Sequence, residues 1–165
     1  MTMIKCSLKN TMLACALLLP TISSAENLAE WSFPSNNTPI LYPKEVKDLP
    51  IGLALINSKT WLFSFLDMRK PNVPGSTCYG GGVSESVDEG SPIMINGKYL
   101  RFKYACMGDF GVMQPVTEYG KVYLNELASS GNEINVVISD NEKLTFPKSD
   151  ITAMKSRIEK TKNAM

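Results

Sequence analysis

Ile93-Met94-Ile95-Asn96-Gly97-Lys98-Tyr99-Leu100-Arg101-Phe102-Lys103-Tyr104-Ala105-Cys106 is the stretch whose reading decides the fold. Two strand-like runs flank Asn96-Gly97, and an Asn-Gly pair tolerates the positive φ that a two-residue type I′ turn needs at both central positions. The spacing predicts a hairpin in which 93–95 pairs with 98–106. Side chains alternate across a strand, so Leu100, Phe102, Tyr104 and Cys106 share one face and Tyr99, Arg101 and Lys103 the other. The first face is core and carries the cysteine. The second is a basic and aromatic stripe for solvent or a partner, since aromatic and Arg residues are over-represented at binding hot spots.

Downstream, Thr117 can cap a helix over 118–130, with Tyr119, Val122, Tyr123 and Leu127 as its apolar stripe and Gly131 as the left-handed residue that ends it. Gly120 is the one position that weakens this helix. The runs 134–139 and 143–146 read as strands joined at Asp140-Asn141. Pro147 stops the second of them, Ser149 or Asp150 can cap, and Ile151, Met154 and Ile158 mark a closing helix with basic residues in its last turns.

Upstream, 51–56 and 60–66 are strand-like runs joined by Asn57-Ser58-Lys59, and in the second run Trp61, Phe63 and Phe65 line a core face. The stretch 26–50 holds Pro34, Pro39, Pro43 and Pro50, so it reads as an extended arm laid over the domain and pinned by Trp31 and Phe33. Between the hairpins, 67–92 carries three prolines and five glycines with no periodicity and reads as a long loop tied down by Cys78. The class is therefore α+β: a mainly antiparallel sheet with two helices in the C-terminal half and one disulfide.

Residues 1–25 have the layout of an export signal: Lys5 and Lys9, the apolar run 12–22, then Ser23-Ser24-Ala25, with cleavage expected after Ala25. That run is too short to span a bilayer, so no transmembrane segment is expected after cleavage. The apolar Leu17-Leu18-Leu19 after Cys15 argues against a lipoprotein signal. Asn36-Asn37-Thr38 would accept a glycan in a eukaryotic pathway, but a signal of this form points to the bacterial periplasm. Cys6 and Cys15 leave with the signal, and the remaining pair, Cys78 and Cys106, reads as a disulfide. About 140 residues remain, enough for one domain, 26–165, and too few for two ordinary cores.

The chain has 17 basic and 16 acidic residues, a formal charge of +1, and 44% hydrophobic residues. Such a balance lacks the field that collects nucleic acid, and the apolar content suffices for a core. The absence of histidine removes Ser-His and Cys-His nucleophile pairs and imidazole metal sites. Gly80-Gly81-Gly82 lacks the Lys-Ser/Thr of a phosphate loop, Asp109-Phe110-Gly111 lacks every other kinase element, and Ser139-Asp140-Asn141 has no accompanying Ser-x-x-Lys. No cofactor and no metal are expected.

The order of elements over 95–160 is similar to that of the small exported proteins of the invasion-associated locus B type. Cys106 at a strand end, Gly131 after a short helix and the strand 134–138 are the matching points, and the further cysteines usual in that family do not follow Cys106. The resemblance implies a non-enzymatic envelope protein and transfers no catalytic residue.

The expected function is recognition of another envelope protein, as an inhibitor, immunity factor or assembly component. Its expected surface is Tyr99, Arg101 and Lys103 with the tethered loop at Tyr79 and Gly80, and the arm 32–43 is the next candidate. The contrasting expectation is a small hydrolase of cell-wall glycans that uses carboxylates from Glu85, Asp88 or Glu89, since paired carboxylates cleave glycosidic bonds without histidine.

Overall fold

A computed structural model of the chain describes residues 28–34, 38–45, 51–69, 78, 84–89, 92–107 and 110–163, with only the backbone of 84–89 and 162–163. Residues 1–25, expected to be an export signal, and Tyr79 and Gly80, expected in the tethered loop, lie outside the described residues. The elements run β1 (Ile40–Leu41), β2 (Ile51–Asn57), β3 (Leu62–Asp67), β4 (Ser84–Glu89), β5 (Ile93–Ile95), β6 (Lys98–Leu100), β7 (Phe102–Met107), β8 (Phe110–Pro115), α1 (Glu118–Ser130), β9 (Ile134–Ser139), β10 (Glu142–Phe146) and α2 (Ile151–Asn163). Two antiparallel sheets result, one in the order β1-β2-β3-β8-β7-β4 and the other β10-β9-β5-β6. With two helices and one disulfide, the fold is α+β.

The Asn-Gly turn forms as its chemistry demands, with φ 45° at Asn96 and 81° at Gly97. Asn96 also ties the hairpin to its neighbour, accepting from Asn135 N at 2.8 Å through its side chain and donating its own N–H to the Asn135 carbonyl at 2.9 Å. The strand expected over 98–106 is broken, however. The chain bends at Arg101, leaving β6 paired with β5 and passing β7 into the six-stranded sheet. Where a strand turns a corner between packed sheets, both can share one core. The predicted alternation survives the bend: Leu100, Phe102 and Cys106 are buried while Tyr99 and Arg101 are exposed.

The stretch 67–92 is not loop throughout, because β4 lies within it. Ser84 is opposite Cys106 and Glu89 opposite Lys103, and Cys78 is bonded to Cys106. The disulfide delivers the chain to the free edge of β7, where backbone hydrogen bonds form whatever the side-chain pattern. Strand β8 is likewise absent from the pattern expected of the sequence. Gly111 and Pro115 hide it, yet Gly111 is required there because a β-carbon would overlap the Tyr104 ring, and Pro115 falls at the strand end, where proline is tolerated.

The arm is more regular than its prolines suggest. Pro39 and Pro43 flank β1 without interrupting it, so Ile40 pairs with Ala54 and Leu41 with Leu53 at the sheet edge. Trp31 is buried with its ring centroid 5.9 Å from that of Phe63, and Phe33 packs at the core margin. Trp61, expected on the core face of β3, instead lies in the preceding turn with φ 51°, half-buried, with the Lys155 ammonium 5.2 Å from its ring centroid.

Helix α1 begins and ends as its caps dictate: Thr117 Oγ1 accepts from Gly120 N at 3.0 Å, and Gly131 has φ 70°. The predicted stripe is corrected. The buried line is Gly120, Leu124 and Ala128, with Tyr123 and Leu127 packed at its edge, whereas Tyr119 and Val122 are 61% and 53% exposed. The glycine that weakens the helix is what lets it approach, since a β-carbon there would come within 3.0 Å of Pro115 Cβ. Helix α2 is capped by Asp150, whose Oδ1 accepts from Ala153 N at 2.8 Å, and it buries Ile151, Met154 and Ile158.

A single apolar cluster joins the elements, drawing Phe63 and Phe65 from β3, Phe102 from β7, Ile95 from β5, Val136 from β9, Phe146 from β10, Leu124 from α1 and Met154 from α2. A smaller one, Ile40, Ala54, Leu66 and Val112, lies on the opposite face of the six-stranded sheet.

Candidate functional site

Strand β6 ends the four-stranded sheet, and the residues around it make the candidate site. Because side chains alternate, Lys98 and Leu100 point to one face and Tyr99 to the other. On the first face Leu100 is buried, and Lys98 reaches the exposed surface of α1. Its ammonium donates to Tyr119 Oη at 3.0 Å and sits 4.3 Å from the Tyr123 ring centroid. The two tyrosines, one helical turn apart, stack at 6.1 Å with 6° between their planes. The hydrogen bond to Tyr119 is the main cause that holds the Lys98 pKa above its ordinary value. Tyr123 Oη in turn donates to the Ile95 carbonyl at 3.4 Å, fastening the helix to the hairpin.

On the other face, Tyr99 is 73% exposed and stands opposite Met94, Met94 opposite Val137, and Val137 opposite Lys143. These four form one row across all the strands of the sheet, aromatic at one end, half-buried and apolar in the middle and cationic at the other. The opposite edge of this sheet is covered: Lys44 N donates to the Thr145 carbonyl at 2.8 Å, and Glu45 accepts from Thr145 N at 2.7 Å.

The stripe expected from the sequence is therefore divided. Tyr99 lies on β6, Arg101 at the bend, and Lys103 half-buried on β7 of the other sheet. Arg101 is exposed and engaged in an interaction of its own. The helix tyrosines have the spacing of a buried stripe, yet only Tyr123 packs against the core, and no local signal shows that the hairpin lysine reaches them. Glu85, Asp88 and Glu89 fall on β4, and the structure describes their backbone only. Among the described residues no cluster of three or more Cys, Asp or Glu forms a metal site.

A second polar cluster was not legible beforehand. Asp67, nearly buried at the end of β3, accepts from Arg69 Nε and Nη2, each at 2.9 Å, and Arg69 also pairs with Glu142 at the start of β10. The guanidinium thus links the two sheets, and its pKa is raised above the ordinary value, first by the hydrogen bond to Asp67. Tyr104 Oη lies 4.0 Å from Cys78 Sγ. Burial, and then the Asp67 carboxylate, hold the Tyr104 pKa above its usual 10.0.

No family model, curated protein or solved structure matches the chain. What its sites can do rests on its own chemistry.

The Tyr104 shift has a testable sign. A phenol that keeps its proton more tightly when folded contributes stability that is complete below pH 10.0 and is lost as pH rises through the higher folded value. The unfolding free energy of the protein should fall more steeply above that pH than that of Tyr104→Phe, as read by urea denaturation across the alkaline range. Parallel profiles would show that Tyr104 titrates as a free phenol.

Proposed function

We propose that this is an exported, periplasmic protein without enzymatic activity that recognises another protein of the cell envelope, as an inhibitor, immunity factor or assembly component. The observation that carries the reading is the edge strand β6, where Tyr99 stands exposed on one face and Tyr119, held by Lys98, stands exposed on the other. Exposed aromatic rings held in place by neighbours lose little conformational freedom on binding and supply large contact area, and such residues dominate interface hot spots. The Lys98 contact does this holding for Tyr119, and Tyr99 flanks the same edge strand on its far side. Arg101 and Lys103 continue the proposed surface around the bend, and Tyr79 and Gly80, expected beside it, lie outside the described residues.

Export is supported by the Cys78–Cys106 disulfide, which suits an oxidising compartment, and by the signal-like residues 1–25. No helix among the described residues is long and apolar enough to cross a membrane. The similarity in element order to the invasion-associated locus B type proteins points the same way.

A photoreactive phenylalanine analogue at position 99 or 119, exposed to periplasmic extract, should yield one dominant cross-linked protein. The same group at the exposed Glu159 of α2 should not. Tyr99→Ala with Tyr119→Ala should weaken the purified pair by about 30-fold or more, as loss of hot-spot tyrosines does. The thermal midpoint should stay within a few degrees, because exposed substitutions cost under about 0.5 kcal/mol. Equal cross-linking at 99, 119 and 159 would sink the reading.

A further inference from the structure

Away from β6, the arm and α2 enclose a cleft of about 290 Å³. The arm reaches the helix through two backbone bonds, Ala29 N to the Lys148 carbonyl at 2.7 Å and Asp150 N to the Ala29 carbonyl at 3.2 Å, so this wall is fixed next to the start of α2. Leu28, Phe33 and Met154 supply apolar lining, Glu30 contributes a carboxylate from the arm, and Arg157 a guanidinium from the helix. Arg157 is seated 4.1 Å over the Phe33 ring.

Three features set the cleft apart. Glu30 and Arg157 line the same space, yet among the described residues neither has an ion-pair partner, including each other. Trp31, which also lines it, is 5% exposed, and its indole N–H is buried with no acceptor among the described residues. Native proteins rarely leave a buried donor unpaired. The remaining carboxylate, Asp150, is already engaged as the cap of α2.

An unpaired anion and an unpaired cation on facing walls, with apolar lining between, complement a molecule that carries both charges around an apolar body. The volume is at the small end of ligand pockets, about 300 Å³, which suits an amino acid or dipeptide and is too small for a nucleotide cofactor. We propose that this cleft binds a zwitterionic apolar amino acid or dipeptide. Its carboxylate meets the Arg157 fork, which suits a planar carboxylate, its ammonium meets Glu30, and its apolar side chain lies against Phe33 and Met154.

The chain holds two tryptophans, so the indole region of a ¹⁵N–¹H spectrum reports Trp31 directly once Trp61→Phe assigns the other signal. Titration with L-leucyl-L-leucine should move the Trp31 indole resonance to saturation. The N-acetyl and the C-terminal amide derivatives should each bind about tenfold more weakly or worse, and so should Glu30→Gln and Arg157→Gln. Both side chains are exposed, and an unchanged thermal midpoint will show that the variants are folded. No shift up to about 10 mM dipeptide, equal binding of the N-acetyl form, or full binding by Arg157→Gln would each overturn the proposal. The second outcome would make the cleft a site for apolar carboxylates instead.

Discussion

Replacing Phe65 with alanine is expected to cost about 3–5 kcal/mol, the largest loss from any single substitution considered for this protein. Phe65 is 1% exposed in the middle of β3, with ring centroids 5.8 Å from Phe102 and 5.6 Å from Phe146. Phe102 belongs to the six-stranded sheet and Phe146 to the four-stranded one, so this ring is the pivot on which the sheets meet. Truncation forfeits its transfer free energy and leaves a cavity bounded by antiparallel strands that cannot close over it without moving backbone. Urea denaturation of the variant should show a lower midpoint at an unchanged slope. A loss below about 1.5 kcal/mol would mean that the two sheets repack freely, and that the aromatic junction does not set their spacing.

Removing the disulfide with Cys78→Ala and Cys106→Ala is the second large effect. The two residues are 28 apart in sequence, and the chain-entropy relation for a loop of this length gives about 3.5 kcal/mol. For a domain of this size that corresponds to a drop in thermal midpoint on the order of 10 °C. The damage should be local first. Since β4 is an edge strand whose approach to β7 follows from the bond at Cys106, amide exchange at 84–89 should rise before that of β2 or β3. A stability change under about 1 kcal/mol, with 84–89 still protected, would show that pairing with β7 holds this edge without the cross-link.

These two sites differ in how far they could be foreseen. The Cys78–Cys106 bond is legible from composition, because a signal cleaved after Ala25 would leave these two cysteines with one pairing between them. Alternation puts Phe65 on a core face, but nothing local says that the face meets two different sheets. The same division runs through the candidate surfaces. Alternation puts Tyr99 on a solvent face, and it is exposed. Tyr119 has the spacing of a core residue, and its exposure follows from the rotation of α1, which is set by Gly120 closing onto Pro115. The cleft at α2 joins residues 28–33 to residues 150–157, a proximity that no local pattern encodes.

Local chemistry by itself determined the elements whose signals are short-range: the Asn96-Gly97 turn, the Thr117 cap, the Gly131 stop, the helix from Ile151 and the alternation from Leu100 to Cys106. Each depends on backbone preferences or on partners within a few residues, so neighbours in sequence suffice to specify it. Tertiary structure decided the rest. The bend at Arg101, the strand at 84–89, the two-residue strand between Pro39 and Pro43 and the Asp67–Arg69–Glu142 link all exist because a distant segment supplies hydrogen-bond partners or shared core. Strand pairing is satisfied between chains of backbone rather than along one, and its free energy becomes available only when the partner arrives.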